Sequence, residues 1–360
     1  MDRLVDRGSA KWTLYPPDVL PAWVAEMDFE LAAPIKAALH DAIDRDDVGY
    51  LGPNHEGLTE AFVGFAQRRL GWTVDPAQVR ATTDVMVGVE ELLLALTKPG
   101  DGVIVNPPVY PPFFADVRHT GRTVVEVPLG PDGELDVPGI ERAFAAGAKA
   151  LLLCNPHNPT GRVPRRDELE GIAAAAEAHG AWVLSDEIHA PLIFGDVPFT
   201  PYLTVSSRGA ALTSASKAFN LAGLKLGLIV SEHVDRLPAW LNWRAGYLGA
   251  VAAQAAFSEG DEWLDATLAT IAANHDLLIE QLPPQIAYAP PAASYLAWLD
   301  CRACGLGDDP AKAFLERGRI ALSRGLDFGA QGAGFARLNV GTTPDLVEEA
   351  IRRLEAALTR

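Results

Sequence analysis

Between about residues 85 and 235 the chain alternates short apolar runs with stretches of helical periodicity. The runs Val103–Asn106, Thr123–Val127, Ala150–Asn155, Ala181–Ser185, Ala210–Thr213 and Leu226–Ser231 predict strands. They are too short for buried helices, and helix-like segments such as Gly139–Ala146 and Arg166–His179 separate them. In the second of these, Leu169, Ile172, Ala173 and Ala176 recur at helical spacing. Strands alternating with helices predict an α/β fold, a mostly parallel sheet covered by helices. The last hundred residues read differently. They predict helices at Glu262–Leu282, Pro310–Gly318 and Pro344–Leu358, with short strands near Tyr295–Leu299 and Phe335–Val340, a smaller α+β domain. The first 35 residues or so carry Pro16, Pro17, Pro21 and Pro34 with little periodicity and predict an extended arm. The expected division is an arm with part of the small domain over residues 1–34, a large domain over 35–245 and a small C-terminal domain over 246–360. A length of 360 residues favours two domains over one core.

Composition narrows the function classes. With 49% hydrophobic and 21% charged residues the chain is an ordinary globular protein. The net charge of −17 argues against nucleic acid or an anionic membrane as partner. It also means that an anionic ligand has to be held by local donors against an unfavourable field. No run approaches the ~18 apolar residues of a membrane span, and the charged start, Met1 to Arg7, lacks the apolar core of a signal peptide. Three cysteines, Cys154, Cys301 and Cys304, make no disulfide framework, so a reducing cytoplasmic location is expected. Cys301 and Cys304 form a single CxxC without a second pair, which reads as structural, and no metal site is expected.

The candidate chemistry gathers just after predicted strand ends: Tyr110, Asn158, Asp186 and Lys217. Open α/β sheets bind ligands along that edge. Lys217 closes Ser214-Ala215-Ser216-Lys217, where a small-residue turn after an apolar strand can point an amine into a protected crevice and prime it for imine chemistry. Asp186 ends another apolar strand, and burying an acid there is expensive unless a cation pairs with it. A protonated pyridine nitrogen would be such a cation.

Taken with Asn155-Pro156-His157-Asn158-Pro159-Thr160-Gly161, Asp186-Glu187-Ile188-His189 and the stretch Ser214–Gly227, these residues make the chain resemble the fold-type I pyridoxal-phosphate enzymes of the class I/II aminotransferase superfamily. Within that superfamily Trp23–Phe29, Pro107–Phe113 and His157 resemble the MalY/PatB-type cystathionine β-lyases. The similarity runs from about residue 10 to 355.

The resemblance implies pyridoxal 5'-phosphate as cofactor, bound by the large domain, and β-elimination of a sulfur-containing amino acid to pyruvate, ammonia and a thiol. It implies that Lys217 holds the cofactor as a Schiff base and shuttles the Cα proton, that Asp186 pairs with the ring nitrogen, and that Tyr110 stacks on the ring. Asn158, with His189 nearby, would serve the phenolic oxygen. Ser214, Lys225 and the backbone of the Thr83–Val85 turn, which includes Asp84 and Val85, would take the phosphate. Arg337 would clamp the substrate carboxylate, and Tyr50 would reach the partner's phosphate in a homodimer with shared active sites. Asp84 departs from the pattern, since a carboxylate there repels an anion unless its side chain turns away. Lys225, where arginine is commoner, offers a point charge instead of a fork. Plainer roles stand beside these: a turn brace for Asn158, a helix cap for Asp186, packing for His189, Tyr110 and Tyr50, an interdomain ion pair for Arg337, and, for Trp23–Phe29, anchoring of the arm in place of shaping the substrate pocket. An aminotransferase, or a cofactor-bound regulatory protein with little turnover, would use the same constellation.

Overall fold

The computed structural model describes residue 4 and the ranges 6–53 and 55–359; residues 1–3 and 5 of the arm lie outside the described residues. Seven strands make the central sheet: β1 (Val79–Thr82), β2 (Gly102–Val105), β3 (Thr123–Glu126), β4 (Ala150–Cys154), β5 (Trp182–Asp186), β6 (Gly209–Thr213) and β7 (Gly227–Val230). Their spatial order is β1-β7-β6-β5-β4-β2-β3. The pairings from β3 through β6 are parallel, whereas β7 runs antiparallel to both β6 and β1. The fold is therefore α/β with a mostly parallel sheet, as the alternation of apolar runs implies.

Helices Pro111–His119, Val137–Ala145 and Arg166–Ala178 connect the parallel strands and cover the sheet. Coverage on both faces explains why β4, β5 and β6 are buried along their whole length and read as continuous apolar runs. Alternate residues still serve opposite faces. Ala150, Leu152 and Cys154 join a core with Val89, Leu93 and Phe113, while Leu151 and Leu153 join one with Ile140, Phe144 and Ile172.

A four-stranded antiparallel sheet in the order Ser323–Arg324, Phe335–Asn339, Leu296–Asp300, Ala287–Tyr288 follows, with helices Asp261–Gln281 and Pro344–Leu358. Within the predicted helix Pro310–Gly318 only Pro310–Ala313 is α-helical; Phe314–Gly318 widens into a π turn. The arm is less featureless than its prolines suggest. It carries a short helix, Ala10–Thr13, and Leu20–Pro21 pairs in parallel with Ile320–Ala321. β1 was not expected: the four-residue run Val-Arg-Ala-Thr has a charge in its middle, which its place at the sheet edge tolerates.

Candidate active site

The loops that leave the carboxyl ends of β2, β4, β5 and β6 open onto one cavity of about 360 Å³. Tyr110, Asn158, Asp186, His189, Lys217, Lys225, Arg337, Asp84 and Val85 all line it. Nine residues singled out in the sequence thus share one hollow, although they span more than 250 positions of chain.

Lys217 sits in the short helix Ala215–Ala218 that follows β6. Its Nζ donates to the carbonyl of Ala25 at 2.9 Å. Burial, then the neighbouring Arg337 cation, pull its pKa down to about 8, while Asp186 pulls the other way. Asp186 is the last residue of β5, where the register sets it opposite Cys154 of β4. One carboxylate oxygen accepts from the Ile188 amide at 3.1 Å, and burial pushes the acid up to about 7. Among the described residues it has no ion-pair partner, so the acid is buried and short of a cation.

Asn158 lies in the loop after β4. Its amide donates to Cys154 Sγ at 3.2 Å, and its Oδ1 accepts from Arg337 at 2.9 Å. A guanidinium has no acceptor, so the atom facing it must be the carboxamide oxygen. The two N–H donors of Asn158 remain for another partner. Arg337, on the strand Phe335–Asn339, is buried and also donates to the Trp23 carbonyl at 3.2 Å and to Ser323 Oγ at 3.0 Å. Its guanidinium rests over Phe328, 4.9 Å from the ring centre, and Nε has no partner. Burial brings this group down to about 10.

His189 is buried edge-on to Tyr295, with ring centres 6.4 Å apart, and its Nδ1 has no partner. Burial first, then the Lys217 and Arg337 cations, push it down to about 3, so the ring is neutral at physiological pH. Tyr110 caps the start of helix Pro111–His119, and burial next to Asp186 raises its hydroxyl to about 12. His157 ties the loops together: its Nε2 donates to the Pro108 carbonyl at 2.8 Å.

At the other end of the cavity, helix Val85–Leu96 presents its N-terminus, a favourable place for an anion. Asp84 caps this helix, its Oδ1 accepting from the Val87 amide at 2.9 Å, and its Oδ2 pairs with Lys225 at 3.1 Å. The Asp84 carboxylate does not turn away from this end of the cavity but is held by these two partners. It lines the cavity because the unpaired helix amides and Lys225 attract it. Ser214, too, is placed differently from expectation. Its hydroxyl accepts from the Ser216 amide and donates to the Leu226 carbonyl at 2.6 Å, so it is satisfied internally, and Ser216 lines the cavity instead. Tyr50 is not brought to this cavity: it is 81% exposed and packs edge-on against Trp243.

Sequence reasoning missed Cys154 and Ser216, whereas Val24 and Ala25, which also line the cavity, lie in the Trp23–Phe29 stretch already singled out. Cys154 reads simply as an apolar strand residue.

A family model described as aminotransferase class I and II matches residues 24–354. The chain belongs to that family. Among relatives of this aminotransferase-family chain, the cystathionine beta-lyase of Corynebacterium glutamicum is 36% identical over 374 residues, covering 99% of both chains. Cystathionine beta-lyase PatB of Bacillus subtilis is 34% identical over 361 residues, covering 95% of this chain and 93% of its own. The solved structure of cystalysin from Treponema denticola, which contains a pyridoxal 5'-phosphate cofactor, superposes with a TM-score of 0.90 at 29% identity, over 98% of this chain and 96% of that one.

Proposed function

We propose that the chain is a pyridoxal-phosphate-dependent carbon–sulfur β-lyase of the cystathionine β-lyase kind. The observation that carries the reading is that one cavity of about 360 Å³ is lined both by a buried amine, Lys217, and by a buried acid without a cation partner, Asp186. The names borne by the relatives above supply the sulfur chemistry.

The residues fit the cofactor. Asp186 lacks the cation that a pyridinium would provide, and Asn158 keeps two free donors for a phenolic oxygen. His189 Nδ1 is an orphaned polar atom beside them. The helix N-terminus at Val85 and the Lys225 charge suit a phosphate. Asp84 stays compatible by giving its charge to Lys225 and the helix amides. When bound, pyridoxal phosphate supplies an electron-withdrawing ring conjugated to the substrate Cα.

The chain does the rest. Arg337, its fork already oriented by Asn158, Ser323 and the Trp23 carbonyl, holds the α-carboxylate. Lys217, with a pKa of about 8, has an appreciable free-base fraction near neutrality and takes the Cα proton. The electron pair left at Cα forms the Cα–Cβ double bond as the Cβ–S bond breaks, and sulfur departs with its pair as a thiolate. Water then converts the released enamine to pyruvate and ammonia; from cystathionine the thiol is homocysteine. Asp186 would hold the cofactor's ring nitrogen as its counter-charge, and Tyr110, on the same cavity wall, would cover the ring and exclude water.

We also propose a homodimer in which Tyr50 serves the partner's cavity. Its exposure beside exposed Trp240 and Trp243 supports an apolar contact surface there. Three free cysteines support a reducing, cytoplasmic setting. Among the described residues no helix is long and apolar enough to cross a membrane.

The test is to mix purified protein with cystathionine and no keto acid. Pyruvate and free thiol are expected together with ammonia. If turnover requires an added keto acid, the chain is a transaminase; if the cofactor binds tightly and neither product forms, it is a regulatory protein.

A further inference from the structure

The segment Trp23–Phe29 borders the cavity at Val24 and Ala25 and belongs to no strand, yet every one of its seven carbonyls accepts a hydrogen bond from a side chain. Trp23 O receives Arg337 and Ser323, and Val24 O receives Asn339 at 2.7 Å. Ala25 O takes Lys217 at 2.9 Å and the Tyr295 hydroxyl at 3.3 Å. Glu26 O takes Asn339 and Lys11, and Met27 O takes Asn220 and Arg7. Asp28 O and Phe29 O take the other Arg7 nitrogen. Four of these donors are cations, two of them the groups assigned above to the amine and carboxylate chemistry.

Beneath the segment lies a buried ion pair. Lys11 Nζ meets Asp28 Oδ2 at 2.6 Å, with both side chains almost fully out of solvent, and Trp12 Nε1 donates to the other oxygen of Asp28 at 3.0 Å. A buried pair of this kind adds little net stability, because desolvation offsets most of the attraction. It does fix geometry, since each charge tolerates one position only. The clamps are also spaced tellingly. Asn339 stands two residues after Arg337 and bonds Val24 and Glu26; Asn220 stands three residues after Lys217 and bonds both backbone groups of Met27.

We propose that Trp23–Phe29 is a template strap, set by the buried Lys11–Asp28 pair, that registers the Lys217 amine through the Ala25 carbonyl and the Arg337 fork through the Trp23 carbonyl. Lys11, Asp28, Tyr295 and Ser323 are its positioning residues. The strap sets each cation at its own end, the amine at Ala25 and the fork at Trp23, so losing one local contact disturbs one step and losing the Lys11–Asp28 pair disturbs both. The idea rests on the function proposed above, but it has a readout of its own.

That readout is the reactivity of Lys217 in the cofactor-free full-length chain toward an acylating reagent, followed at the Lys217 peptide by mass spectrometry. Tyr295→Phe removes one hydroxyl from Ala25 O and is expected to raise Lys217 labelling and, in the holoenzyme, to lower kcat about fivefold, the worth of one hydrogen bond, with KM little changed. Ser323→Ala acts at the Trp23 end and is expected to raise KM by a similar factor with kcat retained. Lys11→Met is expected to do both. If Lys11→Met fails to fold, the two conservative variants still decide the matter. Unchanged labelling in Tyr295→Phe, or kcat and KM moving alike in Tyr295→Phe and Ser323→Ala, overturns the strap. Altered labelling in a protein that makes no pyruvate would keep the strap and sink the lyase instead.

Discussion

At the residue scale, the site is governed by groups whose charged forms burial disfavours. Lys217 is pushed down to about 8 and Asp186 up to about 7, so each is poised near neutrality for opposite reasons of charge but one physical cause. On the proposed function, replacing Lys217 with Ala would remove both the cofactor's covalent anchor and the base. The visible absorbance of the bound cofactor should vanish and kcat should drop by about 10²–10⁴-fold; a Lys217→Ala protein with full turnover would refute the assignment. Asp186 makes a second, independent test in the cofactor-free chain. Its folded pKa lies above that of an unfolded carboxylate, so the folded state holds this proton more tightly. The stability it contributes is complete below about pH 4 and is lost as pH rises through about 7. Compared with Asp186→Asn, which has no proton to lose, the parent apoprotein should lose up to about 1.4 kcal/mol per pH unit across that window. Denaturant titrations at several pH values would read it. Adding pyridoxal phosphate should flatten the difference, because a ring cation then favours the ionised acid.

At the element scale, what positions these residues is a set of loops braced by close backbone approach. Gly161 ends the Asn155–Gly161 loop at a φ of +66°, and a Cβ there would fall 2.2 Å from Pro291 Cβ and 2.6 Å from the Ala293 carbonyl. Both the left-handed backbone and the contact demand glycine. Gly161→Ala should cost about 1–3 kcal/mol in chemical denaturation and weaken cofactor binding by displacing Asn158; a variant matching the parent in both would show the loop to be looser than its contacts imply. Elements of this kind also show what the chain disclosed in advance. The strands β2 through β7 were legible as short apolar runs, partly buried in β3 and buried throughout in β4 to β7, and the closing helix Pro344–Leu358 by the helical period of its buried apolar residues. The cluster lining the cavity was legible because Lys217, Asp186 and Asn158 are polar residues set at or just past the ends of such runs. The carbonyls of Trp23–Phe29 were not: they are bound by side chains from Arg7 to Asn339, and a backbone acceptor leaves no trace in residue type. Ser214 misled for a related reason. A serine before a helical turn is as good a cap as it is a phosphate donor, and here the cap contacts are the ones made.

At the scale of the whole molecule, a chain with net charge −17 that receives a phosphate-bearing cofactor needs concentrated local cation. Within one cavity the phosphate end offers Lys225 and a helix N-terminus, and the Lys225 charge is already shared with Asp84. A partner's contribution at that end would relieve the shortage of donors, and Tyr50, displayed at the surface beside Trp243, is a group able to reach outward. In a two-fold homodimer the same patch meets itself, so each Tyr50 would serve the other subunit's cavity. Complementation tests this directly. Lys217→Ala and Tyr50→Ala homodimers should each turn over poorly. Unfolded together and refolded as a mixture, they form hybrids in which one cavity carries both lesions and the other carries neither. With random pairing about half the dimers are hybrid, so roughly a quarter of all sites are intact, and activity should return to about that fraction. If Tyr50 acted within its own chain, every site in the mixture would still carry a lesion and no activity would return. A mixture that stays inactive while forming dimers by sedimentation would therefore place Tyr50 outside the partner's site.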